Sequence, residues 1–249
     1  MPISETYNCD CLEYMRTLPD KRFDLAIADP PYGGAGNQQL TGGGQIRPTI
    51  RPLQTKVNHA FGGRFEKYNV HGQAERGQQN SGGVISWDTA PCEDFFNELY
   101  RVSKAQIIWG ANYFQNMPAT RCFIIWRKTN VPENFTMAMC EYAWTSFDGN
   151  AKVFDFSAVG QQNRFHPTAK PPELYSWLLR LFAKEGQTIF DPMMGSQSSR
   201  IAAYKMGFDY YGCELDKEYY EKGCERFEKE CHGVIKAPDG RTVQQLSLF

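Results

Sequence analysis

The stretch TIFDPMMGSQSSRIAAYKMGFDYYGCE, residues 188–214, holds the parts of a strand–turn–helix–strand unit in order. A short apolar run, Thr188 to Phe190, leads through DPMMGS into a helical pattern from Gln197 to Lys205. A second run, Tyr210 to Cys213, ends in Glu214. A glycine turn at a helix start suits a nucleotide or nucleoside, and an acid ending the next strand can bind ribose hydroxyls. The stretch therefore predicts a nucleoside pocket.

Further apolar runs elsewhere in the chain are continuous rather than alternating, which is typical of strands buried on both faces. Helical patterns lie between them: 172–184 carries one apolar face, and Asp94 to Val102 repeats it more weakly. Strands that alternate with helices predict an α/β domain with an open, mostly parallel sheet and helices on both faces. The other predicted strands are Phe23–Ala28, Gln106–Trp109 and Cys122–Trp126.

A second chemical signal, Asp29-Pro30-Pro31-Tyr32, follows the strand Phe23 to Ala28 directly. This places a carboxylate where open α/β sheets bind ligands. Two successive prolines remove two backbone donors and restrict φ, and an aromatic ring comes next. Such a group can grip the amine of a planar base, with Asp29 and the Pro30 carbonyl accepting its N–H groups. A strand terminator with an aspartate cap is the alternative interpretation.

These motifs resemble those of the DNA amino-methyltransferases that act on adenine N6 or cytosine N4. Asp29-Pro30-Pro31-Tyr32 is similar to their catalytic motif, and the DPMMGS segment is similar to their cofactor motif D-P-F-x-G-S-G-T. Asn8-Cys9-Asp10-Cys11-Leu12 and HPTAKP, residues 166–171, resemble two further cofactor segments. The catalytic motif comes first, which is the permuted order of the β class. The resemblance spans most of residues 8–230 and implies a Rossmann-like methyltransferase fold.

The resemblance implies S-adenosylmethionine as cofactor, and the aspartate that opens the catalytic motif favours adenine N6 as target. The target base would be held by Asp29, Pro30, Pro31 and Tyr32. The cofactor site would be lined by Asp10, Cys11, Asp29, His166, Thr168, Lys170, Asp191, Pro192, Met193, Gly195, Ser196 and Glu214.

Structural roles stay open for several of these residues. Lys170 also fits a solvated lysine at a helix start, and Met193 and Met194 also fit core packing. His166, before a proline, also fits a turn cap. Gln197 departs from the family, which usually has a second glycine there, and we expect its side chain to come close to the cofactor pocket.

The segment 33–83 is basic although the whole chain has a formal net charge of −1. It carries six basic side chains against two acids, twelve of the 22 glycines and seven glutamines. Clustered positive charge is what phosphate binding needs. We expect a mobile DNA-contacting insertion, with a short target-recognition segment at about 149–165 sharing the work; an incidental surface insertion is the alternative. The candidate DNA-binding residues are Arg47, Arg51, Lys56, Arg64 and Lys67.

The eight cysteines lack the Cys-x-x-Cys spacing of zinc sites, so we expect free thiols and no metal. No apolar run is long enough to cross a bilayer, and residues 1–14 do not resemble a secretory signal. These features predict a cytoplasmic protein without a membrane partner.

The carboxyl-terminal part, residues 233–249, predicts a flexible tail after a methyltransferase domain of residues 1–232. Its last five residues, Gln245 to Phe249, resemble the peptide by which bacterial replication proteins dock on the sliding clamp. A hydrophobic end that folds back on the domain is the alternative. Many β-class members are dimers, so the resemblance leaves a homodimer open.

Three rival functions remain compatible with the sequence. The same chemistry could act on cytosine N4 or on RNA rather than on adenine in double-stranded DNA. A DNA-binding or clamp-tethered module with a decayed cofactor site is the third, and Gln197 is its only support in the sequence.

Overall fold

The structure is a computed structural model that describes residues 1–33, 89–132, 138–157, 165–166, 168–236 and 241–244. The strands are β1 (Ser4–Asn8), β2 (Phe23–Ala28), β3 (Ser103–Trp109), β4 (Phe123–Lys128), β5 (Cys140–Thr145), β6 (Lys152–Phe156), β7 (Thr188–Asp191), β8 (Asp209–Glu214), β9 (Val234–Lys236) and β10 (Thr242–Gln244). The α-helices are α1 (Cys11–Arg16), α2 (Glu93–Val102), α3 (Pro172–Phe182), α4 (Ser198–Lys205) and α5 (Lys217–Phe227).

Eight of these strands form one sheet in the order β1-β8-β7-β2-β3-β5-β4-β6. Neighbours from β1 to β3 pair in parallel, and β4 pairs in parallel with β6. Strand β5 runs antiparallel to both β3 and β4. The start of β5 therefore lies at the edge where the parallel strands end, here called the carboxyl edge.

Helices cover both faces of the sheet, as the continuous apolar runs predict. In β2, Leu25 and Ile27 face α3 and α4, whereas Ala26 and Ala28 face α1 and α2. Each of these four side chains is at most 1% exposed. A strand buried on both faces has no polar face, and this is why its sequence does not alternate.

The predicted α/β architecture is confirmed, with corrections at both edges of the sheet. Strand β4 follows the predicted run but pairs antiparallel with β5, and its side chains alternate between buried and partly exposed. Strands β1, β5 and β6 and helices α1 and α5 had no predicted counterpart. Strand β6 occupies part of the expected target-recognition segment 149–165.

The carboxyl-terminal part departs from a tail without regular structure, because β9 and β10 pair as an antiparallel hairpin. Residues 237–240, which connect these strands in the sequence, lie outside the described residues. All eight cysteines are free. Within the described ranges, no helix is long and apolar enough to span a membrane.

Candidate active site

The two motif-bearing strands are neighbours in the sheet. Leu25 pairs with Ile189 and Ala26 with Phe190, in parallel register. Because β2 and β7 end at the same edge, Asp29 and Asp191 both lie at the carboxyl edge. The predicted catalytic and cofactor motifs are therefore brought side by side.

Asp29 lies in a buried, hydrogen-bonded environment. The Tyr32 hydroxyl donates to Asp29 Oδ1 at 3.0 Å, and the Lys170 ammonium donates to Asp29 Oδ2. Burial raises the pKa of Asp29 above its ordinary value, and the charge of Lys170 opposes this effect. Lys170 is only 4% exposed, which excludes a solvated lysine at a helix start.

The Tyr32 ring is held by two residues that sequence reasoning missed. It stacks on Tyr113, with centroids 4.8 Å apart and planes at 19°. It also lies against Gly110, where an added Cβ would come within 1.9 Å of Tyr32 Cε1. Gly110 has φ +67°, so a side chain is disfavoured there on both counts. Its position directly after the buried run Gln106–Trp109 is the only signal the sequence offers.

Asp191 stabilises the turn formed by the predicted cofactor motif, residues 191–196, here called the cofactor turn. It accepts hydrogen bonds from the Met193 N–H at 3.0 Å and from the Ser199 hydroxyl at 2.5 Å. Burial raises the pKa of Asp191 to about 7, against the effect of both bonds. Pro192 is buried and Met193 partly buried. Met194 packs in the core, as its alternative interpretation proposed.

Gly195, Glu214 and His166 come together at this turn. Gly195 has φ +49°, and its N–H donates to Glu214 Oε2 at 2.8 Å. An added Cβ on Gly195 would lie 3.0 Å from His166 Nε2. Burial, followed by the charge of Lys170, lowers the pKa of His166 to about 4, so its imidazole is neutral near pH 7. Thr168 is exposed, with its hydroxyl 3.3 Å from His166 Nδ1.

The segment that follows β1, residues 9–12, lies next to Glu214 because β1 pairs with β8. The Cys9 N–H donates to the Glu214 carbonyl at 3.2 Å. Asp10 caps α1 by accepting from the Leu12 and Glu13 N–H groups. Burial raises the pKa of Cys11 to about 12, so this thiol stays protonated and is not a nucleophile.

The Gln197 side chain lies away from the cofactor turn, contrary to expectation. It is fully buried between α4 and α5, where its amide donates to the Tyr220 carbonyl at 3.2 Å. Its oxygen accepts from Arg200 Nη1 at 2.8 Å. The prediction that the Gln197 side chain comes close to the cofactor pocket is therefore wrong. Gln197 no longer supports a decayed cofactor site. Ser196 is also buried, with its hydroxyl 3.1 Å from that of Ser198.

This arrangement fits a nucleoside cofactor. Each Glu214 oxygen accepts one backbone N–H, from Gly195 and from Asp216 at 2.9 Å, which leaves lone pairs for ribose hydroxyls. The absent side chain at Gly195 opens the backbone to close approach.

Several residues with predicted functions lie outside the described residues. They are Arg47, Arg51, Lys56, Arg64 and Lys67, the clamp-like peptide 245–249 and residues 158–164 of the expected target-recognition segment.

Comparisons with known proteins agree with this geometry. A family model described as DNA methylase matches residues 142–225. The chain is 35% identical to the Type II methyltransferase M2.DpnII of Streptococcus pneumoniae, covering 89% of this chain and 88% of the relative. It is 23% identical to the Type II methyltransferase M.HinfI of Haemophilus influenzae, covering 96% of this chain and 70% of the relative.

Solved structures share the fold at low sequence identity. The M1.HpyAVI–SAM complex aligns with a TM-score of 0.53 and 16% identity, covering 91% of this chain and 98% of its own. The PvuII DNA methyltransferase, described as cytosine-N4-specific, aligns with a TM-score of 0.52 and 12% identity, covering 90% and 86%.

Proposed function

Because the chain belongs to the family of DNA methylases that modify exocyclic base amines, we propose that its target is adenine N6. The observation that carries this proposal is the Asp29 carboxylate, which directly follows β2 and lies beside the cofactor turn that follows β7. The aspartate that opens the catalytic motif supports adenine over cytosine, because the cytosine-N4 enzymes of this family tend to have serine there. Cytosine N4 is the second candidate.

The chemistry requires a weak nucleophile to be made stronger. An exocyclic amine delocalises its lone pair into the ring, so hydrogen bonds from its two N–H groups to Asp29 and to the Pro30 carbonyl raise the electron density on nitrogen. Tyr32, whose ring is fixed by Tyr113 and Gly110, would stack on the base. A base inside a duplex must first rotate out of the stack.

S-adenosylmethionine, when bound, supplies a methyl group activated by its sulfonium sulfur. Gly195, Glu214 and His166 would hold the cofactor beside Asp29, with Asp10 and Cys11 at its other end. The protein's contribution is to align the amine with the methyl group and to exclude water. Such positioning supplies about 7–11 kcal/mol in well-oriented reactions. No covalent intermediate with a protein side chain is needed.

The test is incubation with radiolabelled S-adenosylmethionine and unmethylated bacterial DNA, followed by separation of the nucleosides. We expect label in N6-methyl-2′-deoxyadenosine and its loss in Asp29→Ala. Asp148→Asn is the matched control, because the Asp148 side chain is 91% exposed and its loss removes one carboxylate away from the site. Label in N4-methyl-2′-deoxycytidine would overturn the adenine assignment. In a parallel incubation with RNA, label there and none in DNA would move the substrate class.

We also propose that the basic segment 33–83 contacts the DNA backbone. Replacing Arg47, Arg51 and Lys56 together by serine should weaken DNA binding and flatten its dependence on salt, because fewer counterions are released. An unchanged salt slope would refute this role.

A further inference from the structure

Asp29 belongs to a row of buried charges that extends away from the base-binding motif. Lys170 Nζ contacts Asp29 Oδ2 and lies 3.2 Å from Glu141 Oε2. The other Glu141 oxygen lies 2.7 Å from Lys128 Nζ. The order along the row is carboxylate, ammonium, carboxylate, ammonium, so the formal charges cancel.

This row is buried deeply enough for each charge to depend on its neighbours. The side chains of Lys170 and Lys128 are 3% and 9% exposed, and those of Asp29 and Glu141 are 17% and 23% exposed. An isolated ion in such a place would become neutral instead, because desolvation disfavours the charged form. The row therefore acts as a unit, in which removing one member leaves a neighbour without compensation.

The fold brings the four members together from separate elements. Asp29 follows β2, Lys128 ends β4 and Lys170 precedes α3. Glu141 is the second residue of β5, and it reaches the carboxyl edge only because β5 runs against its neighbours.

We propose that Lys170, held in place by Glu141 and Lys128, is a positioning residue that keeps Asp29 ionised and oriented as the acceptor for the target amine. The proposal rests on the proposed function and adds Glu141 and Lys128, which no motif includes. It differs from the role implied by the resemblance, in which Lys170 lines the cofactor site.

The directions of the pKa shifts agree with this role. The pKa of Asp29 lies above its ordinary value because burial raises it; the charge of Lys170 opposes this rise and that of Glu141 adds to it. Burial alone would raise the pKa of Glu141, but Lys170 and Lys128 bring it below its ordinary value. Against burial, both carboxylates raise the pKa of Lys170. The ammonium of Lys170 therefore favours the ionised form of both carboxylates.

Four other titratable groups act on this site. Tyr32 and Tyr175 stay protonated because burial raises the pKa of each phenol well above 10. Asp191, with a pKa of about 7, also interacts with Asp29. His166, whose pKa burial and the charge of Lys170 lower to about 4, is the fourth group, and its pKa should rise in Lys170→Met. Lys170→Arg keeps the positive charge and is therefore the control for the titration of His166 and Asp191.

The experiment compares Lys170→Met, Lys170→Arg and Glu141→Gln with the wild-type protein. Single-turnover methylation is followed from pH 5 to 9, S-adenosylmethionine affinity is measured by calorimetry, and folding is checked by circular dichroism. Removing the positive charge should move the acid limb of the Lys170→Met profile upward by about 1–3 pH units. Glu141→Gln keeps an amide oxygen that can accept from Lys170 Nζ and hold it in place, so removing the like charge should move the limb downward. Lys170→Arg should restore the wild-type limb, and cofactor affinity should change less than about threefold throughout.

Opposite shifts in the two variants are not expected from general damage to the fold. Identical acid limbs in all variants, or a loss of cofactor affinity in Lys170→Met without a shifted limb, would overturn the proposal. If Lys170→Met does not fold, an acid limb of Glu141→Gln at or above that of wild type overturns it alone. Failure of the wild-type protein to label DNA would instead refute the proposed function.

Discussion

Replacing Gln197 by the glycine that its family usually has should destabilise this protein. Gln197 adopts φ +58° and ψ 25°, a left-handed conformation that costs a residue with a Cβ roughly 1–2 kcal/mol. Glycine would remove that cost. The family glycine is therefore explained by the backbone, and the glutamine must be retained by its side-chain contacts.

The interactions of the Gln197 side chain outweigh the strain that glycine would relieve. The bond to Arg200 Nη1 is worth about 1.5 kcal/mol, at the low end for a charged donor because Arg200 keeps Ser4 as a partner. The bond to the Tyr220 carbonyl adds about 1 kcal/mol. Two buried methylenes add about 1.6 kcal/mol, and the entropy of glycine in the unfolded chain about 0.7 kcal/mol. After strain relief, the net loss is about 3 kcal/mol.

Urea denaturation of Gln197→Gly beside wild type measures this loss, and thermal unfolding should show a fall of about 6–12 °C. Gln197→Ala is the matched variant, because it loses the same amide but keeps the left-handed Cβ. It also keeps one of the two buried methylenes and has no glycine entropy cost, which together offset the retained strain, so its stability should match that of Gln197→Gly within about 0.5 kcal/mol. Cofactor affinity should be unchanged in both. A Gln197→Gly protein at least as stable as wild type would refute this reasoning.

Four other changes test the site and its surroundings. Asp29→Asn should lower the rate of methyl transfer by about 10²–10³-fold in a tritium assay, because a preorganised charged acceptor is lost while folding is kept. Gly110→Ala should displace Tyr32 and lower kcat by about tenfold or more in the same assay; an unchanged kcat would refute the packing argument. For Asp191, the raised folded pKa of about 7 means that its stabilising contribution is complete below about pH 4 and lost as pH rises through 7. The stability deficit of Asp191→Asn in urea should therefore shrink between pH 5 and 8, and a constant deficit would contradict the raised pKa. Deleting residues 245–249 should abolish binding to the sliding clamp, measured by surface plasmon resonance, and leave methylation intact. Unchanged clamp binding would exclude residues 245–249 as the clamp-binding segment.

The parallel half of the sheet was predictable except for its edge strand β1, because burial on both faces leaves a direct mark on the sequence and β1 is partly exposed. Strands such as β2 and β7 are continuous apolar runs, and the motifs that follow them specify which strand ends carry chemistry. The adjacency of Asp29 and Asp191 then follows from the resemblance and from the rule that ligands lie at the carboxyl ends of strands.

The partners of Asp29 were not predictable in the same way. Glu141 is a charged residue near the start of a strand, and the sheet edge it reaches depends on the direction of β5, which has no signature in the sequence. The contact between Gly110 and Tyr32 joins residues far apart in the chain. The side-chain direction of Gln197 depends on the packing of α4 against α5. Each of these is a tertiary contact without local periodicity.

Because β2 pairs with β7, the catalytic and cofactor motifs stay adjacent whichever of them comes first along the chain. Strands β1, β8 and β7 form one group in the sheet, and β2, β3, β5, β4 and β6 form the other. The chain crosses between these groups twice, from β1 to β2 and from β6 to β7. A chain that began at Pro172 and continued from the present carboxyl end into β1 could keep every strand pair and pass between the groups once. A circular permutation of this kind would reverse the order of the two motifs in the sequence and leave the site residues where they are. For such sites, the pairing of strands is therefore a better guide to common ancestry than the order of motifs.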